Sequence, residues 1–161
     1  MPRYKKRGYE KKPFESTGES SDISANIYMS MMMSPAWMEL TKRQMVLYIY
    51  CKGQYYGEKK KPVKDNLFSF TMNKSKWCSL YKLYSVGNAK YFHADMDALI
   101  SFGFVRCIEC GVTTRTKSIY EYSSKWQDYG TRGFKILPGE MTQSLRNKRP
   151  VSICLEAGQT P

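Results

Sequence analysis

The spacing with the sharpest chemical meaning in this chain is a C-x-x-C-G motif at residues 107–111. Two thiolates at this spacing can bind one zinc ion, and the glycine permits the turn between them. Such sites need further ligands, which the remaining candidates do not offer as a second pair: Cys51, Cys78, His93 and Cys154. In a regular strand over residues 104–110, Cys107 and Cys110 would also point to opposite faces. We therefore expect core and edge cysteines, with no metal and no cofactor.

Catalytic patterns are missing from the sequence as well. His93 is the only histidine, so a site with paired histidine ligands is excluded. A nucleophilic pair of His93 with Cys78 or Cys107 has no recognisable third residue to orient it. The sequence contains no P-loop, no G-x-S-x-G turn and no paired carboxylates. We expect a protein that is not an enzyme and has no small-molecule substrate.

Apolar spacing predicts the elements that position the remaining polar residues. Alternation at Ile23, Ala25, Ile27 and Met29 favours a strand within residues 23–33. Ser34 and Pro35 then begin a short helical turn, and Thr41 caps a first main helix that stops at Gly53. The expected apolar face of that helix is Met45, Val46, Ile49 and Tyr50, which leaves Lys42, Arg43 and Gln44 towards solvent.

The second half of the chain predicts two more helices and three strands. An exposed loop over 55–66 leads into a short strand at 67–71, and Asn73 or Ser75 caps a helix that ends near Leu83. After a turn at 85–88, a third helix spans 88–102 with a buried stripe of Phe92, Met96, Leu99 and Ile100. Gly103 stops it, and β-forming runs follow at 104–110 and 118–123. Residues 141–147 suit one short helix.

This order of helix, strand, helix, turn, helix and hairpin resembles the winged helix-turn-helix superfamily. More narrowly, it is similar to the N-terminal domain of replication initiators and regulators of bacterial plasmids, phages and integrative elements. The matching segments are the Leu-Thr entry into a helix at 40–50, the Met-Asp-Ala-Leu-Ile-Ser-Phe-Gly-Phe-Val exit at 96–105 and the Tyr-Ser-Ser-Lys-Trp run at 122–126. The likeness spans about residues 25–128. It implies an α+β fold, with a three-helix core and a small antiparallel sheet that ends in a wing.

The resemblance also implies contacts with double-stranded DNA. In a helix-turn-helix, the N-terminal part of the second helix meets base edges while neighbouring groups hold phosphates. The corresponding positions are Asn88, Lys90 and Tyr91, with Ala94 beyond them, and asparagine suits adenine while lysine suits guanine. Lys74 and Lys76 would hold phosphate before the preceding helix. Arg115 and Lys117, in the turn between the last two strands, would reach the adjacent minor groove.

Two carboxylates argue against this interface. Asp95 and Asp97 lie on the helix that would enter the groove, where phosphates would repel them. Asp97 can point away from DNA on such a helix. Asp95 cannot be set aside in this way, so it is the stronger argument against the interface. A second hypothesis therefore stays open, in which the same fold is a protein-interaction module and its basic tails provide solubility.

The net charge of +12 is concentrated at the two ends of the chain. We predict a disordered basic tail at 1–22 and one folded domain at 23–130. A basic extension would follow at 131–161, either partly disordered or docked on the domain or on a second chain. Such tails suit loose contact with a polyanion. No apolar run is long enough to cross a bilayer, and irregular cysteines suit a reducing compartment, so we expect a cytoplasmic protein.

A run of methionines offers a further partner surface. Met29 and Met31–Met33 either fill the seam between the first strand and helix, which we favour, or form an adaptable edge that suits a homodimer.

Overall fold

The computed structural model describes residues 16–17, 24–55, 68–73, 75–111 and 116–148. Most of the predicted N-terminal tail, most of the loop at 55–66 and the last residues of the C-terminal extension lie outside these ranges, as does Cys154. Within them, no helix is long and apolar enough to span a membrane.

The described chain alternates short helices with three strands. In chain order these elements are α1 (Met29–Met32), α2 (Pro35–Met38), α3 (Lys42–Lys52), β1 (Ser69–Thr71), a π-helix (Ser75–Leu80), a 3-10 turn (Val86–Asn88), α4 (Ala89–Ser101), β2 (Val105–Glu109), β3 (Ile119–Tyr122), 3-10 turns at Lys125–Asp128 and Pro138–Glu140, and α5 (Gln143–Asn147).

The strands form one antiparallel sheet, so the protein is of the α+β class. The sheet order is β1-β3-β2, which places β3, the last of the described strands, in the centre. Tyr120 pairs with Phe70 on one side and with Cys107 on the other. The register of β2 against β3 shifts between Cys107 and Glu109, where the strand bulges. The two predicted hairpin strands are thus confirmed, and each is one residue shorter at both ends.

The N-terminal strand predicted for residues 23–33 is wrong. Residues 24–28 belong to no strand and α1 follows them. The Ser34 hydroxyl donates to the carbonyl of Met31 at 2.6 Å and accepts from the Trp37 amide at 3.2 Å, so it closes α1 and caps α2. These local hydrogen bonds and the burial of Met31 outweigh the short alternating pattern.

Helix α3 begins at its predicted cap but buries a different face. The Gln44 amide donates to the Thr41 hydroxyl, and the Thr41 amide donates back to the Gln44 side chain, which is a capping box. The buried residues are Leu47, Tyr48 and Cys51. Val46 and Ile49 remain 39% exposed. Apolar residues occur almost all round this helix, so the spacing did not determine which arc would face the core.

Helix α4 is the central element of the core. Its four predicted stripe residues, Phe92, Met96, Leu99 and Ile100, are all buried, as expected. Phe92 stacks on Trp77 of the π-helix, with ring centroids 4.6 Å apart. The helix ends at Ser101, and Gly103 follows in the left-handed conformation at φ +81°, which confirms the predicted stop.

Residues 131–148 pack on the domain. Glu140 accepts from the Lys125 ammonium and the Leu137 amide at 2.5 and 2.8 Å. The Thr142 hydroxyl donates to Asp97 of α4 at 2.5 Å, and helix α5 follows directly. Residues 131–148 therefore do not behave as a free tail.

Gly103 gives a stability test with a matched control. Its left-handed φ disfavours any side chain by about 1–2 kcal/mol, and an added Cβ would lie 2.7 Å from the Trp126 backbone nitrogen. Gly130 has nearly the same φ, +83°, but open space around the added carbon. We expect Gly103→Ala to lower the free energy of unfolding by about 3 kcal/mol and Gly130→Ala by about 1 kcal/mol. Chemical denaturation measures both, and equal losses would contradict the close packing at Gly103.

Candidate functional site

The start of α4 presents three exposed polar side chains. Asn88 is the last residue of the 3-10 turn, and Lys90 and Tyr91 follow in the first turn of α4. The Asn88 carboxamide donates to the Ser85 hydroxyl at 2.8 Å. Three of the residues predicted to meet DNA thus lie together at the start of α4.

Asp95 is the residue that argues most strongly against DNA binding by this face of α4, but its side chain is turned into the domain. It is 2% exposed and accepts hydrogen bonds from three side chains. The Arg43 guanidinium donates to both carboxylate oxygens at 2.5 and 3.2 Å, the Tyr84 hydroxyl donates at 2.6 Å and the Gln44 amide at 3.2 Å. Burial opposes ionisation, but these hydrogen bonds hold the pKa of Asp95 below its usual value. The carboxylate is therefore charged, paired and removed from the surface.

Arg43 is the site residue that sequence patterns missed, since it was expected to face solvent. Its guanidinium carbon lies 5.3 Å from the ring centre of Tyr91 and 5.6 Å from that of Tyr84, while its side chain stays 45% exposed. The Lys90 ammonium lies 5.1 Å from the same Tyr91 ring. Cations thus contact the Tyr91 ring from both α3 and α4. The only available signal was that a carboxylate at position 95, beside a buried stripe, requires a cationic partner.

Asp97 is buried too, at 4% exposure. One of its oxygens accepts from the Thr142 hydroxyl, and the Lys148 ammonium lies 3.7 Å from the other. That second oxygen has no hydrogen-bond partner among the described residues. The carboxylate faces the docked C-terminal segment, so neither aspartate of α4 lies on its exposed side.

The other predicted contacts are more scattered. Lys76 is half-buried, and its ammonium donates to the Gln54 side chain and to the Thr71 carbonyl, so it is directed towards the domain. Lys117 is exposed just before β3. Lys74 and Arg115 lie outside the described residues.

The two cysteines of the C-x-x-C-G motif are close enough for Cys110 to raise the pKa of Cys107. Cys110 lies beyond the end of β2, and the bulge in β2 breaks the strict alternation on which the expectation of opposite faces depended. Burial, chiefly, raises the pKa of the Cys107 thiol to about 11, so this thiol stays protonated near neutral pH. Among the described residues, no three histidine, cysteine or acidic side chains are grouped for a metal ion.

Asp95 gives a prediction about pH. Since its pKa is lowered in the folded state, its ionisation stabilises the fold above the unfolded pKa of about 4. That contribution is lost as the pH falls through 4 towards the lower folded value. Asp95→Asn should cost about 2–3 kcal/mol near neutral pH, because Arg43 loses its partner, and the cost should shrink in acid.

Urea denaturation between pH 7 and pH 2.5 checks this, with Asp128→Asn as the control because Asp128 is exposed. A cost for Asp95→Asn that does not change with pH would contradict the ionised pair.

Comparison of the chain with protein-family models, with curated proteins and with solved structures finds no match. The function must therefore be argued from the charge and geometry of these residues.

Proposed function

We propose that this protein is a winged-helix protein that binds double-stranded DNA, with the first turn of α4 in the major groove. One observation carries the proposal most directly. Asn88 and the exposed side of that turn present polar and cationic groups, with Lys90 and Tyr91. Both aspartates of α4 are buried, Asp95 against Tyr84 and Asp97 against Thr142. A face that looked mixed in charge in the sequence is cationic and polar in the folded chain.

The arrangement of elements supports this proposal. A helix, a strand, a short helix, α4 and a hairpin follow one another, and the first strand pairs with the last. The hairpin of β2 and β3 then lies beside α4 as a wing would. In this geometry, a side chain from the turn of the hairpin can reach the groove next to the one that the helix occupies.

Each exposed group suits one class of contact. The Asn88 carboxamide can pair with an adenine edge, and the Lys90 ammonium can donate to guanine or to phosphate. The Tyr91 hydroxyl suits phosphate, and its ring is held by Arg43. Ala94, one turn further along and exposed, is small enough for close approach to a thymine methyl group. Lys117, together with Arg115, would extend the phosphate contacts through the hairpin.

The biological role follows from the sequence resemblance. Replication initiation or transcriptional regulation of a plasmid, phage or integrative element would require sequence-specific DNA binding of this kind. The basic segments at both ends of the chain would add contacts that do not depend on sequence.

A second candidate function rests on a separate surface. Tyr28, Met29, Met33 and Met38, around α1 and α2, are 63–69% exposed. Exposed apolar side chains of this size favour contact with another protein, and methionines adapt to varied surfaces. This observation favours a protein-interaction role, or pairing of two copies, either with DNA binding or in place of it.

Loss of cations from the proposed face should weaken DNA binding in a salt-dependent way. We expect Lys90→Ala and Lys117→Ala each to lower affinity for duplexes of any sequence several-fold at low salt. Each should reduce the slope of log affinity against log salt by about 1, because one phosphate contact is lost. Fluorescence anisotropy with a random-sequence duplex at two salt concentrations measures both quantities.

Lys135→Ala is the matched control, since this exposed lysine lies beyond the C-terminal end of α4. Equal losses for all three variants would mean that charge alone, without this face, binds DNA. No binding by the full chain would leave the protein-interaction role as the better explanation.

Asn88 should affect sequence preference rather than overall affinity. Its carboxamide is placed to read a base edge, and a good bidentate contact distinguishes bases by about 1–3 kcal/mol. We expect Asn88→Ala to relax the preference at one position of sites selected from a random pool, with little change in the salt slope. An unchanged set of selected sites would show that Asn88 does not read a base.

A further inference from the structure

The bulge in β2 decides which way the two cysteines of the C-x-x-C-G motif face. Residues that pair directly across an antiparallel ladder lie on the same face of the sheet. Cys107 pairs with Tyr120, and Glu109 pairs with Ile119, the preceding residue of β3. Neighbouring residues of a strand face opposite sides, so Glu109 lies on the face opposite to Cys107. Cys110, the next residue, then returns to the face of Cys107.

Further observations place the two side chains near each other on this common face. Cys107 is 2% exposed, and the half-buried Cys110 packs against the same core cluster. Just beyond Cys110, the Gly111 amide donates to the Ser118 hydroxyl at 3.0 Å, so the chain after β2 is still held to the chain that leads into β3. Burial is the main cause of the raised pKa of Cys107, but Cys110 contributes as well, which requires the two groups to be close. The fold thus brings together two thiols that a regular strand would hold apart.

We propose that Cys107 and Cys110 form a reversible redox pair, which a low-molecular-weight disulfide such as oxidised glutathione converts to an intramolecular disulfide. Both cysteines are free thiols in the structure, and the bulge supplies the common face that a bond between their sulfurs needs. The inference does not rest on DNA binding, because it uses only the bulge and the two thiols.

The half-buried thiol of the pair reacts first. Cys110 is accessible to the oxidant, whereas Cys107 is buried. The Cys110 thiolate attacks one sulfur of the oxidant, whose S–S bond breaks and whose second sulfur leaves as a thiolate. The Cys107 sulfur loses its proton, attacks Cys110 in the mixed disulfide and releases the other half of the oxidant. The two cysteines lose two electrons and two protons in total, and these reduce the oxidant to two thiol molecules.

Trypsin releases both cysteines on one peptide, residues 107–115, because it cleaves after Arg106 and after Arg115. The reduced full chain is incubated with oxidised glutathione, its remaining thiols are alkylated, and the digest is analysed by mass spectrometry. We expect this peptide to lose two hydrogens and to carry neither glutathione nor the alkylating group. In a buffer of reduced and oxidised glutathione, the equilibrium constant for closure should be about tenfold or more higher for the folded chain than in urea.

Single-cysteine variants separate the two steps. Cys107→Ala should stop at the mixed disulfide, with glutathione retained on Cys110, whereas Cys110→Ala should leave the buried Cys107 unmodified over the same time. Cys78→Ala is the control, because Cys78 is half-buried like Cys110 but lies on the π-helix, and it should leave closure of the pair unchanged. A wild-type peptide that keeps both thiols, glutathione that stays on Cys110 in the wild-type chain, or an equal equilibrium constant in urea would each overturn the proposal.

Discussion

The buried carboxylate of Asp95 is the constraint on which the rest of the arrangement depends. A charged group in the interior is stable only when hydrogen bonds and an opposite charge compensate for its lost hydration. Asp95 meets this condition by taking Arg43 and Gln44 from α3 and Tyr84 from the segment before α4. Those bonds fix α4 in rotation and in position relative to α3. They also remove a negative charge from the surface and bring Arg43 beside Tyr91.

Asp97 acts in a similar way on the other side of α4. It holds Thr142 and so joins the C-terminal segment to the same helix. With an acidic residue engaged on each flank and the apolar stripe in the core, the exposed residues of α4 are Lys90, Tyr91, His93 and Ala94. A helix surface that carries a cation and no exposed carboxylate can approach a polyanion closely. In the sequence the two aspartates argue against contact with a polyanion. Because both are buried in the folded chain, they leave the exposed side of α4 without a carboxylate.

Local signals in the sequence predicted much of the fold but little of this pairing. The cap at Thr41, the stop at Gly103 and the buried stripe of α4 each depend on a few neighbouring residues, and all were confirmed. The prediction of which face of α3 is buried was wrong, because apolar residues lie almost all round this helix. The bond between Arg43 and Asp95 joins residues 52 positions apart, and no local pattern records it. The proximity of Cys107 to Cys110 depends on a bulge whose position is decided by pairing with β3.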